Sequence, residues 1–377
     1  MRPPFLRTWI EIDTKALLHN YHVFRRLTGQ KKLLAVVKSN AYGHNIIEAS
    51  KVFAKAGADY LGVDSMTEAL TLRREGIKKP ILVLGYTLPE YLLAASQKKI
   101  ILSLSSFDQI SALKTFAKNH SRQQLSLHLK IDTGMHRQGF QLREFPVLIK
   151  ELKNLPSTIK IEGLYSHMAA PAEKKFQAKT KKQIAIFQVA KNLLAEVGYK
   201  NLIRHLGATG GTFNYPDLPV EMVRIGIGLY GYYPSDEVAE TSLKHKNLRL
   251  QPALVWKTIV SEIKEVAKNE SVSYSFTKKL KRDSRLAILP IGYWHGYPRA
   301  LSSLGQVMIK NQRAKVIGRV CMDMIIIDIT DHRQVKVGDE VTLLGDKISA
   351  EEFATWAKTS NYEVITRLNP LIKKIYR

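Results

Sequence analysis

The sequence predicts an N-terminal (β/α)8 barrel of the TIM type followed by a mostly-β domain, an α/β plus β architecture. Three observations carry this. Short apolar runs alternate with helical patterns eight times within roughly 240 residues, the length of such a barrel. The runs are continuously apolar, as in parallel strands covered on both faces. After about residue 245 the pattern changes to short β-branched runs separated by turn residues. An open doubly wound sheet is the alternative for the first part, and eight units favour closure.

Each element has its own signal. Leu33–Val37 is the first apolar run, and a helical stretch follows with Ile46, Ile47, Val52, Phe53 and Ala56 near a 3.6 period, stopped by Gly57. Tyr60–Val63 comes next. Ser65-Met66-Thr67-Glu68 has the spacing of a capping box that starts a helix, and Gly76 ends it. Ile81–Leu84, Ile100–Leu104, Leu125–Ile131 and Ile161–Tyr165 supply four more strands. The segment Phe176 to Val197 reads as a helix with Gly198 behind it. Leu202–Leu206 and Val223–Tyr230 complete the eight. The runs LVWKTIVSEI, RLAILPIGY, GQVMI, KVIGRV, MIIIDI and EVTLLG then build the β domain, with a helix over Ala350–Lys358. The boundaries read 1–242 for the barrel and 243–377 for the β domain, with about the first ten residues able to pack with the latter.

Composition narrows the function classes. The 377 residues are 45% hydrophobic, enough for more than one core. No run of about 18 uncharged apolar residues predicts a membrane span. The start, MRPPFLRTWIEID, lacks a signal-peptide core, and the single cysteine, Cys321, permits no internal disulfide, so a cytoplasmic location is expected. The net charge of +25 raises the reading of a nucleic-acid binder. The basic residues are dispersed, and clusters such as Lys278-Lys279-Leu280-Lys281-Arg282 lack interleaved aromatics, so a solvated basic surface is preferred.

In such a barrel, catalytic groups sit at the C-terminal strand ends. Here the first strand ends in Lys38 and Tyr42, and the fifth leads to Lys130 and Arg137. The sixth ends in Tyr165-Ser166-His167 and the seventh in His205 before GATGG. The eighth carries Arg224 and Gly226. Each alone has an ordinary reading: a surface lysine, a hydrogen-bonded core histidine, structural ion pairs, a flexible turn. Together they suit one chemistry. A lysine held against an apolar strand has its ammonium disfavoured and can form a Schiff base. GATGG, the Arg224–Ile227 backbone and the Tyr42 hydroxyl are donors for a phosphate. Lysine plus phosphate site means a carbonyl sugar phosphate or pyridoxal phosphate. The eleven histidines show no metal-ligand spacing, so no metal is expected.

AVVKSNAYGHN resembles the lysine motif of bacterial alanine racemases, which use pyridoxal 5'-phosphate. TWIEIDTKALLHN, KIDTGMHRQG, YSHMAAP, VRIGIGLYG, SVSYSFT, IGYWHGYPR, GRVCMDM and NYEVITRL each resemble a segment of that family, in its order and over nearly the whole chain. The resemblance implies a homodimer whose active sites combine one subunit's barrel with the other's β domain. It implies that Lys38 holds the cofactor and acts as one acid/base, with Tyr274 from the partner subunit as the other. It places His167 between Tyr274 and Arg224, and Arg224 at the pyridine nitrogen. It gives Tyr42, Thr209, Gly226, Ile227 and Tyr362 to the phosphate. It gives Arg137 to the cofactor's phenolic oxygen on the substrate side, the Met322 N–H to the substrate carboxylate, and Tyr293 to the narrowing around a methyl-sized side chain. Lys130 matches a lysine often carbamylated in the family, which would hold Arg137. Departures are Ala208-Thr209 for an Asn-Ser pair, and Trp294 and His295 for a small residue and an aspartate.

The implied reaction is interconversion of L- and D-alanine for peptidoglycan, without nucleic acid or membrane. Alternatives are a racemase of another small amino acid such as serine, or a barrel-fold decarboxylase of the same cofactor. A decarboxylase would lack Arg224, and a non-catalytic cofactor carrier would lack the β domain with Tyr274.

Overall fold

The computed structural model describes residues 5–244 and 248–377. The chain forms two compact units. One comprises Leu17–Ala41 and Ile46–Gln251; the other comprises the segment ending at Ala16, Tyr42–Asn45 and Pro252–Arg377.

The first unit is a closed barrel. Labelling Thr8–Ile12 of the other unit β1, its strands are β2 (Lys32–Val36), β3 (Tyr60–Val63), β4 (Ile81–Val83), β5 (Ile100–Leu104), β6 (Leu125–Lys130), β7 (Ile159–Tyr165), β8 (Ile203–His205) and β9 (Met222–Ile225). All pair in parallel, and β9 returns to β2 with Leu34 opposite Arg224. The doubly wound alternative is excluded by that closure. Every residue of Ile100–Leu104 is buried, as a strand between a filled barrel and a helical coat requires. Helices Ile46–Ala56, Met66–Arg74, Phe107–Asn119 and Gln177–Glu196 lie between strands. Gly57 follows the first at φ +102, a left-handed stop that suits a residue without Cβ.

Two local expectations are corrected. Ser65 caps its helix by accepting the Glu68 N–H, but the Glu68 carboxylate does not return to Ser65. It accepts the amides of Ser39 and Asp64 instead, at 2.7 and 2.8 Å. The strand expected over Val223–Tyr230 ends at Ile225. Gly226, at φ −108 and ψ −103, breaks the extended path, and Ile227–Tyr230 closes as a 3-10 turn. An apolar run alone does not separate these two conformations.

Among the described residues, the second unit is built on nine strands in the order β11-β14-β17-β16-β15-β18-β10-β1-β19. These include β10 (Leu254–Ile259), β11 (Glu262–Val266), β14 (Ser284–Leu289), β15 (Gln306–Ile309), β16 (Gln312–Ile317), β17 (Ile325–Asp328), β18 (Glu340–Leu344) and β19 (Lys374–Tyr376). The short β12 (Ser271–Val272) and β13 (Lys278–Lys279) pair separately. Strand β1 pairs antiparallel with β10 and parallel with β19. Trp9, Trp256, Tyr297 and Phe353 fill this core, each at most 1% exposed. Each such side chain contributes roughly 2–3 kcal/mol by burial. No helix among the described residues is long and apolar enough to cross a membrane.

Candidate active site

Lys38 follows the first barrel strand after one residue, Val37, and the backbone beyond it is unusual. Ser39, Asn40, Ala41 and Tyr42 all have φ between 52 and 55. Four consecutive non-glycine residues in the left-handed region are costly, by about 1 kcal/mol or more each, and need support. The Glu68 carboxylate supplies some of it at Ser39. Burial does not explain the Lys38 amine, contrary to the expectation from its apolar strand. Its side chain is 38% exposed, and Nζ lies 3.3 Å from Asp64 at the end of β3. Asp64 had no sequence signal beyond its place after a strand.

Arg224, on β9, is buried and uses both Nη groups of its guanidinium. Nη1 donates to His205 Nδ1 at 3.0 Å and to the His205 carbonyl at 2.9 Å. Nη2 donates to the Ser166 carbonyl at 2.7 Å, to His167 Nδ1 at 3.2 Å and to the Leu206 carbonyl at 3.3 Å. Only Nε–H has no partner among the described residues. Because arginine cannot accept, both imidazoles present a bare Nδ1 to it and carry their proton on Nε2. Burial and the nearby cations hold His167 down to about 3, so it is neutral. Burial lowers Arg224 itself to about 10, which leaves it a cation at neutral pH. The Tyr165 ring stacks on His205 at 4.7 Å and lies 5.3 Å from the guanidinium.

Lys130 is buried at the end of β6. Its Nζ donates to Gln138 Oε1 at 2.7 Å and sits 5.2 Å from the Tyr165 ring. Burial first, then the charges of Arg224, Arg137 and Lys38, lower it to about 8. Arg137, seven residues on, is exposed. The unmodified Lys130 amine is thus partnered by Gln138, which sequence reading passed over.

GATGG forms the start of the short helix Thr209–Asn214. The buried Thr209 Oγ1 accepts from the Gly226 and Gly228 amides at 3.3 and 3.4 Å. A Cβ on Gly228 would stand 2.4 Å from Phe24, so only glycine brings that amide so close. Gly226, Ile227 and Thr209 thereby gather amide and hydroxyl donors at one strand end, a donor set that suits a phosphate.

The remaining candidates lie in the other unit. Tyr42 and Tyr362 have ring centroids 6.3 Å apart. Burial pushes both phenols up, Tyr362 to about 12, so each hydroxyl remains an O–H donor. Tyr274 is 69% exposed on a turn whose Ser273, Ser275 and Phe276 have positive φ. The turn is tethered by Ser273 Oγ, which donates to the Arg319 carbonyl and accepts the Arg319 amide. Met322 and Tyr293 are also exposed, and the Tyr293 amide donates to the Cys321 carbonyl at 3.0 Å. His295 is buried, its Nδ1 accepting the Gly292 N–H at 3.2 Å, while Trp294 is exposed. No group of three metal-ligating side chains is close enough to hold an ion among the described residues.

The families described as "Alanine racemase, N-terminal domain" and "Alanine racemase, C-terminal domain" match residues 12–234 and 253–376. Alanine racemase of Desulforamulus reducens is 37% identical over 370 residues, 98% of each chain. That of Methanococcus maripaludis is 39% identical over 378 residues, again 98% of each. Among solved structures, alanine racemase of Clostridium difficile 630 superposes with TM-score 0.90 at 33% identity, covering 100% of this chain and 97% of that one. The Bacillus anthracis alanine racemase with bound L-Ala-P gives 0.91 at 31% identity, covering 100% and 96%. This chain belongs to the alanine racemase family and is a racemase, an isomerase.

Proposed function

We propose that this protein interconverts L- and D-alanine on pyridoxal 5'-phosphate, supplying D-alanine for peptidoglycan. The Arg224 donor set carries the reading. Its four Nη–H groups are spent inside the barrel on five acceptors, and the remaining Nε–H can be shared with an aromatic nitrogen but not given up. That fits a pyridine held unprotonated. The Thr209, Gly226 and Ile227 donors fit its phosphate, with Tyr42 and Tyr362 assigned to it by family resemblance.

When bound, the cofactor supplies an electron sink that acidifies the α-hydrogen of alanine. Lys38 holds it covalently and moves a proton at one face of the α-carbon. Tyr274 Oη of the partner subunit moves a proton at the opposite face, so a homodimer completes each site. A free phenol titrates near 10, so making phenolate at neutral pH costs roughly 4 kcal/mol. His167 offsets part of this, because its only free ring nitrogen is an Nε2–H and a tyrosine oxygen meeting it must accept. Arg137 orients the cofactor's phenolic oxygen, the Met322 amide the substrate carboxylate, and Tyr293 limits side-chain size. Lys130 carries a carbamate; its depressed ammonium favours the free amine that carbon dioxide needs. The basic surface serves neither nucleic acid nor membrane, and the protein works in the cytoplasm.

The test is solvent exchange. In deuterated water, both alanine enantiomers should lose the α-hydrogen, and borohydride should fix the cofactor on the Lys38 peptide. Exchange that persists at the wild-type rate in Lys38→Ala would sink the reading. Serine turning over faster than alanine would favour the racemase of another small amino acid.

A further inference from the structure

The barrel holds one more imidazole that the reaction above does not use. His128 lies on β6, two residues before Lys130 and on the same strand face, and is fully buried. Its Nδ1 stands 2.7 Å from His205 Nε2. The direction of that bond follows from Arg224. The guanidinium donates to His205 Nδ1, so the His205 proton is on Nε2 and is donated to His128 Nδ1. His128 therefore keeps its own proton on Nε2, which is buried with no hydrogen-bond partner among the described residues. A buried N–H without a partner is costly, and the fold tolerates it while keeping an acceptor for His205.

The neighbouring strand is shaped for this ring. A Cβ on Gly163 of β7 would stand 2.4 Å from His128 Nδ1. The β6–β7 register also shifts between Leu127 and His128, where the ring enters. Burial and the Arg224 charge hold both imidazoles far below the ordinary histidine value, His128 to about 3. Neither takes a second proton near neutral pH, so the order of donors is fixed.

We infer that His128, housed by Gly163, is a positioning residue: it accepts the Nε2–H of the His205 tautomer that Arg224 sets, and so holds the His205 ring and through it the orientation of Arg224. It touches neither cofactor nor substrate. The consequence for rate rests on the role of Arg224 proposed above; the tautomer does not.

Nitrogen NMR of the histidine-labelled protein reads the tautomer directly. Wild-type His205 should show a bare Nδ1 and a strongly hydrogen-bonded Nε2–H. His128→Leu should shift the Nε2 signal and lower kcat about tenfold with KM within about twofold. His128→Asn, whose Oδ1 replaces the Nδ1 acceptor, should restore both. Gly163→Ala, which displaces the ring without removing it, should shift the same signal. A packing role alone predicts the reverse: leucine tolerated and asparagine harmful. That result, or a folded His128→Leu or Gly163→Ala with the wild-type His205 signal, overturns the inference. So does a shifted signal with unchanged kcat. A wild-type protein that fixes no cofactor on Lys38 overturns the proposed function and leaves the tautomer measurement standing.

Discussion

Arg224 Nη2 stands 3.2 Å from His167 Nδ1, and a guanidinium only donates, so His167 offers a proton and not a lone pair at Nε2. Arg224→Lys tests the fork. It keeps the charge but cannot serve two imidazoles and three carbonyls. Racemisation kcat is expected to fall about a hundredfold, as the loss of a pre-organised donor set does elsewhere. Steady-state kinetics in both directions check this, and a loss under twofold would refute it.

Tyr274→Phe removes the phenol proposed as the second acid/base. With two bases on opposite faces, exchange of the α-hydrogen from one enantiomer should collapse by about a hundredfold or more, while the other retains Lys38-driven exchange. Proton NMR in deuterated water reads both. Equal losses on the two enantiomers would contradict the two-face scheme.

Lys130 predicts a pH dependence of stability. Its ammonium titrates near 8 in the fold and near the model-peptide 10.5 when unfolded. Between those values the unfolded chain binds a proton that the folded chain does not, so stability rises as pH rises from 8 to 10.5. Below 8 the full penalty applies, roughly 3 kcal/mol. Lys374 shifts the same way through burial, so the comparison is wild type against Lys130→Met. Urea titrations in bicarbonate-free buffer should show the difference shrinking with rising pH. A constant difference would remove the buried-ammonium explanation.

The phosphate assignment makes Thr209→Val informative. Valine keeps the shape and loses the oxygen that accepts from Gly226 and Gly228. Cofactor retention should weaken about tenfold or more, and the cofactor-free protein should lose about 1–3 kcal/mol because buried amides are left without their acceptor. Equilibrium dialysis against pyridoxal 5'-phosphate measures this. Unchanged retention would take Thr209 out of the site.

Much of this site was legible because barrel strands carry their chemistry at one end. Lys38 follows an apolar run directly, His205 lies near the end of another and Arg224 near the start of the eighth, and their place on successive barrel strands singled them out. Their partners were less legible. Asp64 and Glu68 reach Lys38 and Ser39 across 26 and 29 residues, and nothing in the sequence distinguishes them from other helix-start acids. His128 could have been found from alternation, since it shares a strand face with Lys130. The Val223–Tyr230 misreading had its warning in Gly226. The reason first given for Lys38 also changes: a carboxylate and a left-handed turn hold its amine at a rim.

The β1 strand has a consequence for synthesis. It is made before the barrel, yet its partners β10 and β19 are made about 240 and 360 residues later. At typical translation rates of about 5–20 residues per second, Trp9 and Ile10 wait roughly 12–70 s for either partner. The whole barrel sequence emerges in that interval. The nascent chain thus carries an unpaired apolar strand until β10 is made, and a ribosome that stops short of Lys374 leaves β1 as an open edge of the sheet.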